Sequence, residues 1–271
     1  MNKIGIVQGR LSKKIKNLIQ AFPKDNWKNE FYIAEKIGFD GIEFIFDNLK
    51  NPLLSKKGKK EIQEIQLATK VEIFSISCDY SMFNPIFGKT AKKSTEVAKE
   101  LIRSCSELAI PRLALSLEDN SSILNKYHAE DTVRSLKSIT KYAKKYDIVV
   151  SLETSLATLN IKSLINKVGS DNLKINFDLG NSCSLGEDTP KAILELDKLI
   201  HSLHIKDRTK LFGTTVKIGE GDVDFKACFR SLKKINFTGN IVIQGARGKN
   251  DIETAKQYLR FVKKLIRDSK L

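Results

Sequence analysis

Short apolar runs and longer amphipathic segments alternate along this chain from one end to the other. Strand-like runs fall at 3–7, 41–46, 71–77, 112–116, 148–152, 173–177, 200–205 and 240–243. Helical periodicity fills the gaps, for example at 27–37, 91–108, 131–146 and 251–268. A strand that leads through a helix to the next strand needs a crossover, so this alternation predicts a parallel sheet built from βα units. Eight such units with no linker between them predict a single α/β domain over residues 1–271, a closed (β/α)8 TIM barrel rather than an open doubly wound sheet. Gly5 and Gly9 do not make a dinucleotide fingerprint after the first strand. The helix-to-strand links are short, as in Gly38-Phe39-Asp40, while strand-to-helix links such as 8–26, 78–89 and 206–223 are long and polar. That asymmetry places the loop mass at the C-terminal ends of the strands, where sites on this fold are built.

Four strands in the second half of the chain end on side chains that an apolar strand does not need. They are Glu153 after Ser151-Leu152, Asp178 after Asn176-Phe177, His204 after Ser202-Leu203, and Gln244 after Val242-Ile243. Side chains alternate across a strand, so each of these polar ends shares a face with Ser151, Asn176, Ser202 and Val242, while Leu152, Phe177, Leu203 and Ile243 face the helices. Glu, Asp and His are ordinary ligands of hard and borderline metals, and an amide oxygen is accepted by oxygen-binding cations. Convergence on a divalent metal (Mn, Mg, Co or Zn) is the expected use of the ring, with weaker binding because Gln244 is neutral. His201, three positions from His204, points to the opposite face and reads as structural; His128 opens a helix and reads as exposed.

Composition narrows the class. The formal charge of +15 raises a nucleic-acid partner. Lysine-rich runs such as 55–60 and 141–145 lie in or beside helices without interleaved aromatic rings, so solvated helix faces are the preferred reading and nucleic acid is disfavoured. No apolar run approaches the roughly 20 residues of a membrane span. The start at Met1-Asn2-Lys3 reads directly into a strand, so a cytoplasmic protein without membrane attachment is expected. Cys78, Cys105, Cys183 and Cys228 show no paired spacing and are expected as reduced thiols. A homo-oligomer is compatible with the sequence.

Several stretches together resemble the xylose-isomerase-like TIM-barrel superfamily of sugar and sugar-phosphate isomerases and epimerases, which is related to the apurinic-site endonucleases. The resemblance spans the chain. It is carried by the run from Lys3 to Ser12, Phe22-Pro23, Trp27 with Glu30-Phe31, Gly38-Phe39-Asp40-Gly41-Ile42-Glu43, Leu152-Glu153, Asp178 with Asn181, His204-Ile205-Lys206-Asp207 and the run from Gly219 to Phe225. It implies a metal-dependent isomerase or epimerase of a sugar or sugar phosphate, moving a proton through a metal-stabilised enediolate. By that resemblance Glu153, Asp178 and His204 are metal ligands and Glu153 is also the catalytic base. The fourth ligand position falls on Gln244, where the family carries Glu.

Gln244 cannot exchange a proton, so an epimerisation run by two opposed glutamates is not available as such. Three readings remain open: a single base at Glu153; a second acid or base among Glu43, Asp79 and Lys206; or a non-catalytic sugar-binding barrel. An apurinic-site endonuclease is disfavoured because a trinuclear zinc site needs several histidines and the chain has three. Expected substrate contacts are Gln8, Arg10, Glu43, Asp79, Asn181, Lys206, Arg208 and Arg247; the cationic ones suit a phosphate or carboxylate. Glu43 has a structural acceptor role as its alternative, and Lys217, Glu220 and Asp222 are expected to shape the loop after the seventh strand.

Overall fold

The computed structural model describes residues 2–16, 18 and 20–271. The main strands are β1 (Ile4–Val7), β2 (Gly41–Ile45), β3 (Glu72–Cys78), β4 (Arg112–Leu117), β5 (Val149–Thr154), β6 (Leu173–Asp178) and β7 (Ile200–Ile205). A two-residue antiparallel ribbon, β8 (Asp207–Arg208) with β9 (Thr215–Val216), precedes the last strand, β10 (Asn240–Ile243). The order β1-β10-β7-β6-β5-β4-β3-β2 closes into an eight-stranded parallel barrel with helices between the strands. The expected fold class is the observed one. Two compact units divide the chain, residues 1–42 with 176–271 and residues 43–175.

The first unit shows why its motifs read as they do. Helix Trp27–Ile37 stops at Gly38, whose φ of 92° is a left-handed cap that a side chain would strain. The chain then returns to β1 at once: Asp40 N–H donates to the Ile4 carbonyl at 2.9 Å, and Ile4 N–H donates to the Asp40 carboxylate at 2.8 Å. Further on, the buried Asp207 carboxylate accepts N–H groups from Gly219 at 2.8 Å, Gly221 at 3.0 Å and Val223 at 3.3 Å, so the loop after β9 is wound around it. A Cβ at Gly221 would stand 2.2 Å from Asp207 Oδ1, which is why glycine is needed there.

The second unit carries β3, β4 and β5 in parallel register, with Ser77 opposite Ala114 and Ala114 opposite Ser151. Small side chains on that face leave room for one large buried pair. Arg112 Nη2 lies 3.8 Å from the Glu43 carboxylate and donates to Ser75 Oγ at 3.1 Å, and Ser75 Oγ donates to Glu43 at 2.6 Å. Burial pulls the Arg112 guanidinium below its usual range while Glu43 works against that shift. The opposite face is apolar, with Leu113, Leu115, Val150 and Leu152 fully buried against the helices. Each such side chain contributes roughly 1.5–3 kcal/mol of burial.

Helix Lys126–Lys144 begins five residues before the expected 131, because Asn125 caps it by accepting the His128 N–H at 2.9 Å. His128 does open that helix, but it is not fully exposed: its ring stacks on Phe87 at 4.1 Å between centroids. The four cysteines are buried free thiols, and burial pushes Cys78 up to about 12. Lysines on helix faces pair at one-turn spacing, as in Lys60–Glu64 and Lys191–Glu195. Among the described residues no helix is long and apolar enough to cross a membrane.

Candidate functional site

Glu153, Asp178 and His204 are buried, and each offers one ligand atom within 4.8 Å of the others. β5 runs one residue past Glu153 and β6 ends on Asp178, so the strand itself fixes where both carboxylates point. Asp178 Oδ1 caps helix Leu179–Ser184 by accepting the Asn181 N–H at 2.8 Å, which leaves Oδ2 for other partners. Oδ2 lies 2.8 Å from Lys206 Nζ and 3.9 Å from His204 Nδ1. The other ring nitrogen, Nε2, is 2.9 Å from Asn176 Nδ2, and Asn176 Oδ1 accepts from Ser202 Oγ. The expected facing of Asn176, Asp178, Ser202 and His204 is therefore present as direct contact.

Gln244 continues β10 beside β7. Val242 pairs with His204, and Gln244 N–H donates to the Ile205 carbonyl at 2.9 Å. Its Nε2 donates to Gln20 Oε1 at 3.2 Å, while its Oε1 is buried with no hydrogen-bond partner among the described residues. A buried amide oxygen without a donor is costly, and a cation would satisfy it. The two carboxylates and the imidazole form a donor set that suits a borderline divalent metal. Gln20 itself was not expected from the sequence, because it lies in a long polar loop without periodicity. It also accepts from Arg10 Nη2 at 3.3 Å.

The expected substrate contacts divide by partner. Lys206 Nζ and Arg208 Nη1 both donate to Asn181 Oδ1, at 3.3 Å and 3.0 Å. Arg208 Nε holds the Gly213 carbonyl at 2.9 Å, and among the described residues no carboxylate pairs with Arg208. Arg10 is buried, with Nε donating to the Gly245 carbonyl at 3.2 Å. Gln8, at the end of β1, is also buried. Arg247 binds the Ser12 carbonyl at 3.0 Å, the Gly9 carbonyl and the Asp251 carboxylate at 2.5 Å, which makes it a tie between two loops. Glu43 sits beside Ser75 and Arg112, at the level of the first residue of β4. Glu153 pairs with Ser116, four residues further on, or about 13 Å along the strand. Asp79 follows Cys78, which pairs with Leu115, so it stands level with Ser116 and Glu153. Ser77 Oγ donates to its Oδ1 at 2.7 Å, confirming that it shares the inward face. Of the loop residues after β7, Asp222 accepts the Lys210 N–H at 2.8 Å and Lys217 pairs with Glu220 at 3.7 Å, both local contacts that shape the loop as expected.

One supporting residue gave only a faint signal. Glu30 lies on the buried face of helix Trp27–Ile37, where a carboxylate is out of place. It accepts N–H groups from Gly9 at 2.8 Å and Leu11 at 2.9 Å and so holds the loop that carries Gln8 and Arg10. Burial raises it to about 7, against the pull of those bonds, of Ser12 and of Arg247.

A family model described as xylose isomerase-like TIM barrel matches residues 31–265. The putative L-ribulose-5-phosphate 3-epimerase SgbU of Escherichia coli is 26% identical over 250 residues, 83% of this chain and 86% of its own. The solved structure of an L-ribulose 3-epimerase superimposes with a TM-score of 0.80 at 17% identity, covering 100% of this chain and 96% of that one. The IOLI protein, solved with a bound zinc atom, gives a TM-score of 0.75 at 18% identity, over 98% and 97% of the two chains.

Proposed function

Because the chain belongs to the xylose isomerase-like TIM-barrel family, we propose that it is a sugar or sugar-phosphate epimerase or isomerase that moves a proton at the carbon next to a carbonyl. The observation that carries this is the approach of buried Glu153, Asp178 and His204 to within 4.8 Å of one another. A divalent metal held by these three and by Gln244 Oε1 would polarise the carbonyl and hydroxyl oxygens and make the neighbouring C–H more acidic. Relatives and similar structures named as epimerases of ribulose and ribulose 5-phosphate support the substrate class.

The roles follow from chemistry and position. Glu153 takes the proton from carbon and returns it. Gln244 is an acceptor and a donor but never a base, so an epimerase needs its second proton carrier elsewhere. Among the three candidates, Glu43 is engaged by Ser75 and Arg112 below the rim, and Lys206 is held by Asp178 and Asn181. Asp79 is at the level of Glu153, two strands away, and is the carboxylate best placed to serve the opposite face of a substrate. Arg208 donates only to neutral oxygens, those of Asn181 and the Gly213 carbonyl, which leaves its positive charge for a phosphate or another anionic group.

The test is proton exchange. The protein with Mn²⁺ is offered ketoses and aldoses, free and phosphorylated, in deuterated water, and NMR reads deuterium entering at carbon. The expected result is wash-in that falls by a factor of at least about 100 in Glu153→Gln, the usual worth of a positioned base. Wash-in undiminished in Glu153→Gln would sink the assignment. No wash-in with any sugar, together with sugar-dependent thermal shifts, would favour the second reading that Gln244 motivates: a sugar-binding barrel without turnover.

A further inference from the structure

His204 has no direct contact with bulk water, so its ring orientation is set by neighbours. Its Nε2 meets Asn176 Nδ2 at 2.9 Å, and Asn176 Oδ1 is taken by Ser202 Oγ. Asn176 is 1% exposed; Ser202 and His204 are fully buried. No water is needed to complete this chain, and each member has one role at a time. With the hydroxyl donating to the amide oxygen, the amide nitrogen donates to Nε2. A neutral imidazole that accepts at Nε2 carries its proton on Nδ1. Nδ1 is the nitrogen that faces Asp178 Oδ2, at 3.9 Å. A protonated nitrogen has no lone pair to offer, so in this setting the ring cannot ligate on the side of the carboxylate.

The chain can also run the other way without moving its backbone. A half-turn of the Asn176 amide puts Oδ1 against Nε2–H and Nδ2 against Ser202 Oγ, which accepts as readily as it donates. The ring proton then sits on Nε2, and the Nδ1 lone pair points at the Asp178 carboxylate. Both settings keep the two contacts within the chain, His204 with Asn176 and Asn176 with Ser202. The partner of the far ring nitrogen of a ligating histidine normally fixes the tautomer; here that partner is an amide that can present either end.

We infer that Asn176, backed by Ser202, is the positioning residue that sets the tautomer of His204, and that its amide turns over when a divalent cation binds at Asp178 and His204. The inference rests on the metal reading proposed above. It makes the site a two-setting device: closed to metal while Ser202 donates to Asn176, and open once Asn176 accepts from His204.

The test reads the ring directly. Long-range ¹H–¹⁵N spectra of the imidazoles are tractable because the chain has three histidines. In the metal-free wild type the expected His204 signal is the Nδ1–H tautomer, and Zn²⁺ shifts it to Nε2–H. In Asn176→Asp, whose side chain only accepts, Nε2–H is expected even without metal. Ser202→Ala removes the donor that holds the amide and is expected to mix the two tautomers in the metal-free protein. Affinities for Mn²⁺ and Zn²⁺, measured by chelator competition, are expected to fall at least tenfold in Asn176→Ala and to be kept in Asn176→Asp. Wild-type protein that binds metal but shows Nε2–H throughout, or an Asn176→Ala affinity within twofold of wild type, overturns the inference while leaving the metal reading intact. A wild type that binds neither ion overturns both. Should Asn176→Ala fail to fold, the near-isosteric Ser202→Ala still decides the matter: a tautomer ratio identical to wild type refutes the coupling.

Discussion

Substituting Asp207→Asn tests whether one buried carboxylate organises the loop that follows the seventh strand. The carboxylate is fully buried, and its Oδ2 takes two N–H groups, from Gly219 at 2.8 Å and Gly221 at 3.0 Å, while Oδ1 takes Val223 at 3.3 Å. An asparagine of the same shape keeps its oxygen where two donors meet and turns its amide nitrogen toward Val223 N–H, donor against donor. Loss of charge on two hydrogen bonds costs about 1 kcal/mol each, and the orphaned Val223 N–H about another 1 kcal/mol. Relief from burying a charge offsets part of that, so a net loss of about 2 kcal/mol is expected. For a chain of this size that corresponds to a melting temperature lower by roughly 3–4 °C, read by calorimetry or by circular dichroism. Lys206 and Arg208 flank Asp207, so KM for an anionic substrate is expected to rise more than kcat falls. Gly221→Ala approaches the same point from the other side, since its Cβ would meet Asp207 Oδ1 at 2.2 Å. If both variants melt within about 1 °C of wild type, the loop is not organised by Asp207 and the reasoning fails.

Two further outcomes are expected. Glu30 is raised from 4.5 to about 7 by burial, so the folded state holds a proton that the unfolded chain releases; its contribution to stability is present below pH 4.5 and is lost as pH rises to about 7. Over that window the loss is about 3 kcal/mol, and urea titrations at pH 5 and pH 7.5 should show it in wild type and not in Glu30→Gln. Gln244→Glu adds an anionic oxygen where an unused amide oxygen now stands, and Mn²⁺ affinity is expected to rise at least tenfold, about 1.4 kcal/mol; an unchanged dissociation constant would remove Gln244 from the ligand set.

The alternation of short apolar runs with amphipathic segments made the barrel legible, because a parallel sheet buries both faces and leaves few other patterns. Where the sequence reading moved by a few residues, a cap was responsible. Asn125 starts its helix early by accepting the His128 N–H, and capping is a hydrogen-bond event that hydrophobic spacing does not register. The strand-end residues were legible for the same reason as the strands: strict alternation puts Asn176 with Asp178 and Ser202 with His204, and the contacts among them follow. What alternation could not supply was height. Glu43 and Asp79 both face inward, yet the register places Glu43 at Arg112, near the start of β4, and Asp79 level with Glu153. Register depends on how neighbouring strands shift against each other, which no single strand encodes. The long loops were least legible, since their order comes from isolated buried anchors such as Glu30 and Asp207, whose partners lie far along the chain or in loops without periodicity.

Height also bears on the chemistry. A proton carrier must reach the substrate from the rim, so the register excludes Glu43 on geometry before any question of its charge arises. Gln244 is excluded on chemistry, because an amide accepts and donates hydrogen bonds but does not carry a proton to or from carbon. Those two exclusions rest on unrelated grounds, and Lys206 is held by Asp178 and Asn181; the proposed pair is then Glu153 and Asp79, on one unit's inward face at one height, two strands or about 10 Å apart. A sugar carbon held between them could lose a proton to one carboxylate and gain it from the other, which an Asp79→Asn variant would test by abolishing inversion while sparing deuterium wash-in at Glu153. If inversion and wash-in fall together in that variant, Asp79 binds substrate rather than carrying the second proton, and the reaction is confined to one face.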